Sequence, residues 1–97
     1  MGAIRVLRNE YRGDTSWRGL VDVFRPEWQQ CADRQRYLAE FGDEEVAIVP
    51  FGSFAEHAIA WFNGEVPALE GRTPADVLQN EPQGLRIIKS LLMRLPR

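Results

Sequence analysis

Few residues in this chain are able to do covalent chemistry, and none stands in a motif built for it. His57 is the only histidine and Cys31 the only cysteine. A histidine base needs a nucleophile and an orienting acid within hydrogen-bond reach, and no motif in the sequence supplies them. On its Ala-rich segment His57 is expected at the edge of the core or on a polar contact. Cys31 follows Trp28 at helical spacing and is expected to act as a small buried hydrophobe. A reactive thiolate would want a base or a cationic neighbourhood, and Arg34 alone is weak support. One His and one Cys fall short of a zinc ligand set. Asp43-Glu44-Glu45 lacks the spaced oxygen donors of a calcium loop and reads as a solvated turn. Gly64, Gly71 and Gly84 link no strand to a helix, and no Gly-Lys-Ser/Thr follows them, so they build no phosphate loop. Trp61 and Phe62 sit among alanines at helical spacing and read as core, not as a base-stacking platform. The expectation is a protein with no catalytic, metal or cofactor site.

Composition narrows the classes further. The chain has 97 residues, 12 basic against 14 acidic, for a net charge of −2. That length makes one small domain able to bury roughly 60–70% of its unfolded surface. The charge balance argues against a dedicated nucleic-acid binder, which would show a basic face. No apolar run approaches the roughly 20 residues that span a membrane. The first stretch, MGAIRVLRNEYRG, has no apolar run resembling a signal peptide. A lone cysteine fits a reducing compartment, so a cytoplasmic protein without membrane or specific nucleic-acid partners is expected. Arg12-Gly13-Asp14 spells a cell-adhesion tripeptide, but Gly13 reads as a turn and Asp14 or Thr15 as a helix cap.

The apolar spacing predicts a mainly α, single-domain bundle of about five helices, at about 15–24, 27–41, 53–62, 74–79 and 82–94. Trp17, Leu20, Val21 and Phe24 make a one-sided stripe on the first, and Pro26 is expected to start the second. Gly42 stops that second helix. Residues 3–8 are weakly alternating and admit a short strand or hairpin; residues 45–49 favour a strand by β-branched content, with a helical turn as the alternative. Ser53-x-x-Glu56 reads as a capping box opening the third helix, and Thr73 caps the fourth with Pro74 at its first position. Trp17, Leu20, Phe24, Leu38, Phe54, Ala58, Trp61, Leu78, Leu85 and Ile88 are the expected core.

The last helix is broader in apolar surface than one packing contact requires. Leu85, Ile88, Leu92 and Leu95 form a stripe that Ile87 and Leu91 widen to an arc of about 160°, with Met93 apart between Lys89 and Arg86. Either the chain's own core or a second copy covers that surplus, or a partner does; composition leaves both open.

Residues 51–97 resemble the toxin-binding domain of Xre/MbcA/ParS-type antitoxins. The resemblance rests on Ala58-x-x-Trp61, Asn63, Pro67, Leu69-x-Gly71-x-Thr73-Pro74, Leu78 and the helix Gly84 to Leu92. Many such proteins carry a helix-turn-helix ahead of this domain; residues 1–50 show none and read as an unfamiliar helical region. The resemblance implies an antitoxin that binds a RES-domain toxin, an ADP-ribosyltransferase or NAD-degrading enzyme, and blocks its active site with the last helix and tail. It nominates Arg86, Ile87, Lys89, Leu91, Met93, Arg94, Leu95, Pro96 and Arg97 as toxin-binding, with a homodimer compatible. The alternative reading is a small dimeric adaptor or structural protein that retains the domain without a toxin.

Overall fold

The structure, a computed structural model, describes residues 2–95. Over those residues the chain is helical without a strand. In order come α1 (Ala3–Asn9), α2 (Asp14–Gln29), α3 (Arg34–Phe41) and α4 (Glu44–Phe54). A 3₁₀ turn at Ala55–His57 leads into α5 (Ala58–Phe62), and a second at Pro67–Leu69 precedes α6 (Pro74–Asn80) and α7 (Gly84–Met93).

Helix α4 is the hub, packed against α2, α3, α5 and α7. Asp43 caps it by accepting a hydrogen bond from the Val46 amide at 3.0 Å. Five successive residues, Val46 to Pro50, are buried. A helix covered on every side has no polar face and therefore no amphipathic period. This is why the β-branched run at 45–49 looked strand-like and is in fact helix. The division expected at residue 50 falls inside α4.

The two carboxylates that follow Asp43 do more than line a solvated turn. Glu45 accepts a hydrogen bond from the Trp17 indole at 3.0 Å, and Glu44 from the Trp28 indole at 3.4 Å. Both indoles are buried to 1% exposure, where an unpaired N–H would be costly. The pairings fix α2 on the first turn of α4. Trp28, Tyr37 and Phe51 then meet edge to face with centroids 5.2–6.3 Å apart.

Four local expectations are corrected. Pro26 does not start a helix but lies within α2, which continues to Gln29. An interior proline costs about 3 kcal/mol; burial of Trp28 two residues later offsets it. Arg34 then closes α2, its Nη1 donating to the carbonyls of Trp28, Gln29 and Cys31 at 3.3, 2.6 and 3.2 Å. The single helix expected over 27–41 is thereby broken at 30–33. Ser53 lies in the last turn of α4, so no capping box forms there, and the chain breaks instead at Ala55 with φ 52° and ψ −126°. Residues 3–9 form α1 rather than a strand or hairpin, because Ile4 and Leu7 find burial one helical turn apart.

Of the expected core, Trp17, Ala58 and Ile88 are buried, and Leu20, Phe24, Leu38, Phe54, Trp61 and Leu78 are partly buried against it. Leu85 is not core: it is 42% exposed.

Close backbone approach shapes the α6–α7 corner. A Cβ on Gly84 would lie 2.2 Å from the Val77 carbonyl oxygen, which is backbone and cannot swing away. Gly84→Ala is expected to destabilise the fold by about 1–3 kcal/mol through forced overpacking. Chemical denaturation with an unchanged midpoint would show that α6 and α7 part freely.

Candidate partner-binding surface

The turn that delivers α7 is built from Val66 to Pro74. Leu69 is fully buried and anchors it, while Glu70 (φ 59°) and Gly71 (φ 80°) take left-handed backbone to reverse the chain. The Val66 amide donates to the Arg72 carbonyl at 3.1 Å and closes the loop. Thr73 Oγ1 accepts from the Asp76 amide at 3.0 Å and Pro74 begins α6. Upstream, Asn63 donates to the Ile59 carbonyl at 3.1 Å, finishing α5. Trp61 stacks on Phe54, centroids 4.9 Å apart.

Helix α7 sits in this frame with a rotation the sequence did not disclose. At about 100° per residue, the buried side runs from Ser90 through Ile87, Leu91 and Ile88 to Leu92. The expected apolar arc ran from Ile87 to Leu85; the buried one is turned away from Leu85 and takes in Ser90. Ile87 (0% exposed) and Leu91 (6%) therefore belong to the chain's own interior rather than to an open face. The physical reason is α1, which lies along α7 and covers that side.

What remains outside is a strip of Leu85, Arg86 and Lys89, apolar and cationic residues interleaved, with Met93 at its edge partly buried against the core. Leu85, Arg86 and Lys89 line an open groove of about 340 Å³ with Tyr11, Asp14 and Gln83. The cations lie over aromatic rings: the Arg86 guanidinium is 5.2 Å from the Tyr11 centroid and the Lys89 amine 5.3 Å from that of Trp17. Such contacts hold long side chains in place while leaving their charge available. The Tyr11 hydroxyl donates to Asp14 at 2.5 Å. Burial, then that hydrogen bond, pushes the Tyr11 phenol up to about 12. Asp14 is held below its ordinary range, first by the Tyr11 hydrogen bond and then by the nearby cations Lys89, Arg18 and Arg86.

Of the other nominated residues, Arg94 is exposed and 3.5 Å from the Glu10 carboxylate. Leu95 is partly buried against the core. Pro96 and Arg97 lie outside the described residues. His57, expected at the core edge or on a polar contact, is an exposed side chain 3.7 Å from the Glu56 carboxylate. Cys31 is half-buried against the core. Among the described residues no three His, Cys, Asp or Glu side chains converge to hold a metal, and no helix is long and apolar enough to cross a membrane.

A polar network beside α7 went unseen in the sequence. Arg72 pairs with Asp76 at 2.8 Å and with Glu81, while Glu81 also receives Arg8 at 2.7 Å. The i,i+4 spacing of Arg72 and Asp76 was legible; the link from Arg8, 73 positions away, was not.

This geometry defines a class: a small helical module whose last helix carries an amphipathic outer strip, framed by a buried leucine turn. A model of the antitoxin Xre/MbcA/ParS C-terminal toxin-binding domain matches residues 41–96. The chain belongs to that family, and its toxin-binding domain takes in α4 as well as the segment from residue 51. Neither the curated proteins nor the solved structures give a match.

Two outcomes follow from the charges and the packing. Arg72 holds the carboxyls of Asp76 and Glu81 below their ordinary values of 3.8 and 4.5. A depressed folded pKa gives stabilisation that is complete above the unfolded value and is lost as pH falls through the folded one. The melting temperature should therefore fall below about pH 4.5, and Glu81→Gln should flatten that acid limb; identical limbs would contradict the pairing. Separately, Leu92→Ala should cost about 2–5 kcal/mol and Leu85→Ala under about 1, read by urea denaturation. Equal losses would place Leu85 in the core after all.

Proposed function

We propose that this antitoxin-family chain neutralises a RES-domain toxin, an ADP-ribosyltransferase or NAD-degrading enzyme, by laying the exposed strip of α7 and the residues after it across the toxin's active site. The observation that carries this reading is the strip itself. Arg86 and Lys89 lie beside the exposed Leu85 and the partly buried Met93 on one face of a helix whose other side is committed to the core. A site built for a polyanionic dinucleotide is lined to receive cations, and a guanidinium offers it forked donors. Leu85 and Met93 take over the docking role expected of Ile87 and Leu91. Arg94 lies off the strip beside Glu10 and Leu95 is partly buried against the core; with Pro96 and Arg97 they make up the tail that the family resemblance assigns to the dinucleotide site. In this reading the chain acts by occupying a site, and no step of its own chemistry is needed.

Co-expression of the chain with a RES-domain protein encoded beside it, followed by copurification and an NAD⁺-consumption assay, tests this. The wild type should copurify and abolish consumption. Arg86→Glu with Lys89→Glu should weaken binding by roughly a hundredfold, about 2.7 kcal/mol, and restore consumption. Full inhibition by the doubly reversed protein, with its circular dichroism unchanged, would remove the strip from the inhibitory contact. Absence of any complex would leave the adaptor reading in place.

A further inference from the structure

Helix α1 is attached to α7 in an unusual way. Seven residues are too few to hold a helix alone in water, and only Ile4 and Leu7 of the seven are buried. Its remaining hold is polar and concentrated at its ends. Glu70 accepts the Ile4 amide at 3.1 Å, and Arg8 donates to the Pro82 carbonyl at 3.2 Å besides its bridge to Glu81. At the far end Arg86 Nε donates to the Arg8 carbonyl at 2.7 Å, and Arg94 faces Glu10 at 3.5 Å.

Two of those clamps, Arg86 and Arg94, are the guanidinium groups proposed to meet the toxin. One side chain cannot saturate an α1 carbonyl and a partner's anion with the same N–H. Each guanidinium keeps other N–H donors free, but both are held against α1 by these contacts. Docking of α1 and binding of the partner therefore compete for where the two groups sit. Alongside α1 an apolar groove of about 350 Å³, open to solvent, runs among Ala3, Val6, Leu7, Ala68, Leu91 and Arg94. Gly13 (φ 99°) stands between α1 and α2, and a Cβ there would touch nothing within 4 Å.

We infer that α1 is an autoinhibitory strap: docked, it ties up Arg86 and Arg94 and covers Leu91, and its release hands all three to the partner. The inference rests on the proposed role of those arginines in toxin binding. In the free protein α1 sets the position of the two guanidinium groups; in the complex the partner does. The strap thus lowers apparent affinity by the fraction of molecules in which it is closed.

Two measurements test it. In the free full-length protein, amide hydrogen exchange across residues 4–10 should run about a hundredfold faster than across 88–92, through local opening rather than global unfolding. Equal rates in both segments would make α1 part of the global unit and overturn the strap. In the complex, Arg8→Ala loosens α1 while leaving Glu81 paired with Arg72. This variant should bind the copurified RES-domain toxin about tenfold more tightly than wild type. Unchanged or weakened binding by a folded Arg8→Ala protein would also overturn the strap. A toxin that binds neither form would strike at the proposed function alone, and the exchange rates would still decide the strap.

Discussion

The width of the apolar side of α7 is the constraint on which the remaining structure depends. Ile87, Ile88, Leu91 and Leu92 point over too broad an arc for any single neighbour to cover. α4 and α6 take one part and α1 takes another. Each neighbour in turn needs support: α6 by the Thr73 cap and the close pass at Gly84, α4 by Asp43 and by the tryptophans of α2. Because so much of α7 is committed inward, the narrow outer strip is left charged as well as apolar. The strip is thus a consequence of how the helix is buried.

The same economy governs residues ahead of the matched domain. Trp17 and Trp28 bring large apolar area to α4, and their N–H groups are satisfied by Glu45 and Glu44 at its N-terminal turn, where carboxylates also suit the helix dipole. Lys89 over Trp17 and Arg86 over Tyr11 then couple α7 to the same region. The first forty residues therefore frame the outer strip of α7 as well as contributing to the core.

Much of this was legible in the sequence, and the failures have physical causes. The stripe Trp17–Leu20–Val21–Phe24, the Thr73-Pro74 start and the terminal helix were readable because one face of each is wet. Residues 45–49 were not, since a helix buried all round has no period to detect. Helix α1 is too short to show one, and its clamps come from Glu70, Glu81 and Arg86, far along the chain. Missing α1 led directly to misplacing the free face of α7: Ile87 and Leu91 looked surplus, and Leu85 looked internal. Pro26 misled because an interior proline is tolerated only when a later residue, here Trp28, holds the helix together. Helical spacing alone put Arg86, Lys89 and Met93 on a polar side; Arg86 is exposed and Lys89 half-buried over Trp17, whereas Met93 is partly buried against the core.

The central claim is that the outer strip of α7 is the surface covered by the toxin. Lys89, the only lysine in the sequence, lies in the middle of that strip, so its amine reports on the surface without competition from other lysine side chains. Acylation of Lys89 by a water-soluble ester, followed by mass spectrometry, should slow by about tenfold or more when the RES-domain toxin is bound, as expected for a group desolvated at an interface core. An unchanged rate in a confirmed complex would place the toxin elsewhere and contradict the account.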